Sequence, residues 1–94
     1  MNDYGNSNIA IGDQSMFSNT NGYANIAIGR NSLRTNAGGS QNVAVGFEAL
    51  YNSDNSQNTA IGYQALYSNQ SISNTALGWN ALYANTTGFA NSAI

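Results

Sequence analysis

Acid–base or nucleophilic chemistry needs a titratable or nucleophilic side chain held against a partner, and this sequence offers few candidates. Its charged side chains are four carboxylates (Asp3, Asp13, Glu48, Asp54) and two guanidinium groups (Arg30, Arg34). His, Lys and Cys are absent, which removes the usual base near neutral pH, the amine nucleophile and the thiolate. Without Cys there is also no disulfide framework and no thiolate metal site. The carboxylates follow no spacing that would bring them together, so no catalytic centre and no cofactor are expected. The segment Asp54-Asn55-Ser56-Gln57 lacks the Gly-x-Asp spacing of calcium-binding repeats and is expected to be a solvated loop. Asn69-Gln70-Ser71 and Asn85-Thr86-Thr87 are formal glycosylation sequons, but chance supplies such triplets in a chain this rich in Asn, Ser and Thr.

The residues with more to offer are aromatic. Phe47, Tyr63 and Trp79 recur at one constant interval, and Tyr51, Tyr67 and Tyr83 recur at the same one. Rings at a fixed interval can stack on sugar rings, with neighbouring Asn or Gln bonding the hydroxyls, which would make these six residues a glycan-binding surface. They can equally stack on one another or pack between chains. Asp13 and Arg30 precede Phe47 in the first series, at adjacent equivalent positions, and are expected to pair. Phe17 and Arg34 precede Tyr51 in the second. Arg34, Glu48, Asp3 and Asp54 form no evident constellation.

What positions these residues is an internal repeat. The phrase Asn-x-Ala-aliphatic-Gly occurs at Asn8–Gly12, Asn25–Gly29, Asn42–Gly46, Asn58–Gly62 and Asn74–Gly78, and a sixth copy begins at Asn91. The glycines that close these copies keep an even spacing, which shortens by a single position after Gly46. After each Gly comes a second phrase: a small residue (Ser15, Ser32, Ala49, Ala65, Ala81), then Met16 or Leu33, Leu50, Leu66, Leu82, then the second aromatic series. Two places further on stands Asn19, Asn36, Ser53, Asn69 or Asn85. The array divides into rungs 8–24, 25–41, 42–57, 58–73 and 74–90, with partial rungs at 1–7 and 91–94, and forms one domain over 1–94.

The first phrase alternates aliphatic residues with Asn, Ala and Gly, so it reads as a short strand. Its small-residue side must meet something at close range. The second phrase contains good helix formers, as in Gln64-Ala65-Leu66, and is expected to form a short helical or turn segment, closed by its Asn in a left-handed conformation. Units this short cannot bury an apolar face alone. Stacked at about 4.8 Å they pair strand on strand and set equivalent residues in ladders, giving an all-β parallel β-solenoid (β-roll) of five rungs about 25 Å long. So thin a body calls for a partner, and the expected assembly is a homotrimer.

Composition agrees. Apolar residues are 41% of the 94-residue chain, charged residues 6%, and the net charge is −2. A chain without a basic patch is not expected to bind nucleic acid. A membrane-spanning helix needs a long unbroken apolar run, which this sequence lacks, so membrane insertion as a helix is not expected. Met1–Tyr4 carries no basic region of a signal peptide.

The Asn-x-Ala-Ile-Gly phrase resembles the head repeats of YadA-like trimeric adhesins. Asn58–Leu66, reading Asn-Thr-Ala-Ile-Gly-Tyr-Gln-Ala-Leu, is similar to repeat arrays of phage tail fibres and related bacterial surface proteins. The adhesin repeat is shorter than this one, and this sequence carries no coiled-coil heptads. The resemblance implies a homotrimeric β-roll at an extracellular or virion surface, or on a cell surface. Three functions are therefore expected in competition: a rigid spacer in a fibre or adhesin, a glycan-binding module, and a subunit that stacks end to end into filaments. The third rests on Tyr4–Ser7, which resembles the close of a rung, and on Asn91–Ile94, which begins a strand phrase, leaving unpaired edges with few charges.

Overall fold

A computed structural model describes residues 7–85 and 88–94. Met1–Asn6, with the Asp3 carboxylate and most of the first partial rung, and the Thr86-Thr87 part of the second sequon lie outside the described residues. The Asn-x-Ala-aliphatic phrases form β1 (Ile9–Ile11), β2 (Ile26–Ile28), β3 (Val43–Val45), β4 (Thr59–Ile61), β6 (Thr75–Leu77) and β8 (Ser92–Ala93). These six make one all-parallel sheet in the order β1-β2-β3-β4-β6-β8. Each Ala pairs with the next Ala: Ala10 with Ala27, Ala27 with Ala44, Ala44 with Ala60, Ala60 with Ala76 and Ala76 with Ala93. A second, two-stranded parallel sheet joins β5 (Ser68–Asn69) to β7 (Ala84–Asn85). Parallel neighbours one repeat apart define a β-solenoid.

The coil closes on itself through backbone hydrogen bonds outside the sheets. Leu33, Leu50 and Leu66 donate their N–H groups to the carbonyls of Ala49, Ala65 and Ala81 in the following rung at 2.9–3.0 Å. Asn31, Glu48, Gln64 and Asn80 donate to Asp13, Arg30, Phe47 and Tyr63 in the preceding rung at 2.8–2.9 Å.

Of the helical or turn segment expected for the second phrase, the turn is what forms, and no helix occurs among the described residues. The phrase is a run of turns with left-handed backbone at alternate residues. Gln64 and Leu66 have φ of 54° and 50°, and the equivalent pairs in the other four rungs repeat this. Gly62 accepts a hydrogen bond from the Ala65 N–H at 3.2 Å, and the left-handed third residue, Gln64, meets the requirement of a type II turn. Ordinary residues hold this conformation at about 1–2 kcal/mol each. What holds them there is packing: a left-handed Leu66 sends its side chain inward while its N–H stays in the ladder.

The left-handed position also differs from expectation. The Asn that follows the Leu is not left-handed. Asn36 and Asn69 are instead fully buried, with Asn19 nearly so, and they serve as hydrogen-bonding residues of the interior. The small-residue face finds its close neighbour within the same chain. Ala27, Ala44, Ala60 and Ala76 are fully buried and form one core with Met16, Leu33, Leu50 and Leu66. The alternate aliphatic residues face outward. Ile11, Ile28, Ile61 and Leu77 are all exposed, and Val45 in the same column is half-buried.

Candidate functional site

In β1, β2, β3, β4 and β6 the outward residue is followed by a Gly with φ between 124° and 134°, after which the chain turns and presents the series Asp13, Arg30, Phe47, Tyr63 and Trp79. Phe47 and Tyr63 stack with centroids 5.3 Å apart and planes 13° apart, and Tyr63 and Trp79 with centroids 5.9 Å apart and planes 12° apart. The second series stacks more tightly. Tyr51–Tyr67 and Tyr67–Tyr83 centroids are 5.0 and 4.9 Å apart, with planes 5° and 2° apart. All six sequence-predicted residues are thus brought together within their own series. Ring spacing near the strand spacing follows directly from in-register pairing. Tyr63 and Tyr67 each have both faces covered by neighbouring rings. Trp79 is the most open of the six, with 73% of its surface exposed.

Arg34, which the sequence sets in the second series, takes part in that stack, although no constellation was expected of it. Its guanidinium lies 5.4 Å from the Phe17 ring centroid and 5.7 Å from that of Tyr51. Its Nη1 donates to Tyr51 Oη at 2.8 Å and its Nε to Gln14 Oε1 at 3.1 Å. A planar cation occupies a ring position because its flat π-system can stack where a ring would. Glu48 is engaged too, accepting from Gln64 Nε2 at 2.8 Å. The Asp13–Arg30 pair forms as expected, at 3.6 Å and well exposed.

Asp54 makes contacts that the sequence did not suggest. Its Oδ1 accepts from the backbone N–H groups of Ala37, Gly38 and Gly39 in the preceding rung at 2.8, 2.8 and 3.2 Å. Asp54 is exposed, as a solvated loop requires, and its carboxylate also ties one loop to the next. Sequence reasoning missed it because the three donors belong to backbone, and their only sequence trace is the Ala37-Gly38-Gly39 stretch one repeat earlier.

Two columns of Asn complete the interior. Asn8, Asn25, Asn42, Asn58 and Asn74 each accept, through Oδ1, the backbone N–H of the next Asn in the series at 2.8–2.9 Å. Their Nδ2 atoms donate to the loop carbonyls of Gly22, Gly39, Asn55, Ser71 and Gly88. Such bonds satisfy loop backbone groups that the narrow coil would otherwise leave unpaired.

The Tyr67 phenol is pushed above its ordinary value of 10.0, first by burial, then by the charge of Glu48 and by its neighbours Tyr51 and Tyr83. A raised acid binds its proton more tightly when folded. Its stabilising contribution is therefore complete below about pH 10 and is lost as pH rises from there through the folded value. The expected result is that alkaline titration by phenolate absorbance shows a late-ionising Tyr, and that Tyr67→Phe removes this step. A Tyr67→Phe titration with the late step intact would assign it elsewhere.

Among the described residues, no group of three or more acidic, His or Cys side chains is placed to hold a metal ion, and no helix is long and apolar enough to cross a membrane. No protein-family model, curated protein or solved structure matches this chain.

Proposed function

We propose that this chain is a structural fibre module: a rigid β-solenoid segment of a tail fibre or surface adhesin, working as a homotrimer outside the cell or on a virion, without catalytic activity. The observation that carries this reading is the outward column Ile11, Ile28, Val45, Ile61 and Leu77 on a sheet whose inner face is already filled by Ala. Five aliphatic side chains in register make a straight apolar stripe. Stripes of this kind on a monomer's surface mark an interface. Rotational symmetry lets three copies bury one another's stripes along a common axis. The resemblance of the Asn-x-Ala-Ile-Gly phrase to trimeric adhesin heads and tail-fibre arrays supports the same assembly. Continuous backbone pairing along the axis supplies the stiffness.

The aromatic stacks favour packing over glycan recognition. A sugar stacks on a ring face, and the faces of Tyr63 and Tyr67 are occupied by Phe47, Trp79, Tyr51 and Tyr83. What remains are ring edges and the outer faces of the end rings Trp79 and Tyr83, and edges suit contact with another protein surface.

The test is solution mass by light scattering, on the parent and on Ile61→Lys. The expected parent mass is that of three chains. Ile61→Lys is expected to give single chains, either folded or partly unfolded by loss of the interface. A parent that is a folded monomer at micromolar concentration sinks the trimer, and a trimeric Ile61→Lys moves the interface off this stripe.

A further inference from the structure

The interior Asn column that follows each Leu has one interruption. Asn19, Asn36, Asn69 and Asn85 hold it in four rungs, and Ser53 holds it in the third. Where two Asn succeed each other, one amide nitrogen does two tasks. Asn36 Nδ2 donates to Asn19 Oδ1 in the rung before at 3.0 Å and to the loop carbonyl of Gly39 in its own rung at 2.9 Å. Asn85 Nδ2 does the same toward Asn69 Oδ1 at 3.0 Å and the Gly88 carbonyl at 2.7 Å. Both donations also fix the amide orientation of Asn36, because a flipped amide would set its oxygen against two acceptors.

At Ser53 that nitrogen is missing. Asn36 Oδ1, in a fully buried side chain, has no hydrogen-bond partner. Its equivalent, Asn19 Oδ1, is the acceptor of Asn36. The loop carbonyl of the third rung, Asn55 O, accepts from Asn42 Nδ2 at 2.8 Å, whereas Gly39 O, Ser71 O and Gly88 O each accept from two Asn amides. Two acceptors that share one donor elsewhere thus face the same place without it.

Their separation fits one small bridging molecule. A Cβ built on Gly39 would lie 2.3 Å from Asn36 Oδ1 and 2.3 Å from Asn55 O, so the two oxygens stand within twice that distance of each other. Around Gly22 the corresponding distances to Asn19 Oδ1 and Gly39 O are 2.5 and 2.3 Å, and there the bridge is the Asn36 amide. Two hydrogen bonds from one tetrahedral donor span about 4.5 Å.

We propose that Asn36 Oδ1, Asn55 O and Ser53 Oγ form a built-in site for a single water molecule. The water stands where the missing amide nitrogen would be, donates to the two carbonyl oxygens and accepts from the Ser53 hydroxyl. Ser53 is buried, and its Oγ receives Asn69 Nδ2 at 3.4 Å, which leaves its proton to point at the water. Three hydrogen bonds are the usual complement of a buried water, and shortening Asn to Ser frees volume of the order a water needs. An apolar guest would leave Asn36 Oδ1 without a donor, and a cation larger than ammonium exceeds the space of one nitrogen.

The experiment is a high-resolution crystal structure of the parent and of Ser53→Asn, with melting temperatures for both. A water peak within hydrogen-bonding distance of Asn36 Oδ1 and Asn55 O is expected in the parent, replaced in the variant by the introduced side-chain amide. Because the amide carries its donors covalently, the variant is expected to melt about 2–8 °C higher. Parent density without that peak, or with the Ser53 hydroxyl bonded directly to Asn36 Oδ1, overturns the proposal. A variant that melts below the parent overturns the equivalence of the two positions on which the site rests.

Discussion

Leu66→Asp is expected to abolish the fold of the central rungs, read as loss of native far-ultraviolet dichroism and of a cooperative melting transition. Leu66 is fully buried, and Leu50 and Leu33, in the same column, are too. Removing most of a buried Leu side chain costs about 2–5 kcal/mol, the range for Leu→Ala. Burying a carboxylate with no cation beside it adds several more, since nothing in the interior column offers a countercharge. One effect opposes this. Leu66 has φ of 50°, and Asp tolerates the left-handed region better than Leu does, which returns at most about 1 kcal/mol. Packing and charge outweigh backbone preference, and their sum rivals the whole stability of a small domain. Leu66→Ala separates the terms: it is expected to remain folded or marginally so. Native dichroism in Leu66→Asp would place that side chain outside the coil.

The solenoid itself was legible because its signal is a period. Equal spacing of Gly12, Gly29, Gly46, Gly62 and Gly78, to within one position, forces parallel pairing at the same interval, and the observed register follows it residue for residue. The stacking of Phe47, Tyr63 and Trp79 then needs no further information. The helical alternative for Gln64-Ala65-Leu66 arose because Ala and Leu favour helices by tenths of a kcal/mol per residue, a preference that tertiary contacts override. The contrary sign was faint: Asn31 and Asn80 stand at the first left-handed position of the turn, but Gln14, Glu48 and Gln64 do not advertise it. Arg34's place in the second series was legible, but its type concealed that a cation would stack there as a ring does. Asp54 was hidden because its partners are amide groups that every residue carries. The proposed water place was invisible for a related reason: Ser53 for Asn is a conservative change until the double donation of Asn36 is known.

Gly62→Ala is expected to be nearly as damaging as the core carboxylate, although it adds a single methyl group. A Cβ at Gly62 would lie 2.5 Å from Gly78 O, 2.7 Å from Gly78 C and 3.2 Å from Gly78 Cα. These are backbone atoms of the next rung, held by the Ala60–Ala76 pairing just before them, so no side chain can swing aside. The backbone at Gly62 also has φ of 134°, a region that residues with a Cβ occupy at a cost of about 1–3 kcal/mol. Separating the rungs to admit the methyl would lengthen the neighbouring ladder hydrogen bonds, and overpacking of this kind costs roughly a further 1–3 kcal/mol. Gly78→Ala distinguishes the two causes. Its φ is 127° and the closest atom to its added Cβ is Ile94 C at 3.8 Å, so it carries the conformational cost with no collision. Gly62→Ala is therefore expected to lose roughly 3 kcal/mol or more in denaturant melts, and Gly78→Ala only about 1–3 kcal/mol. Equal losses in the two variants would assign the whole effect to backbone conformation. A Gly62→Ala chain as stable as the parent would mean that the rungs are not stacked as tightly as the Gly column requires.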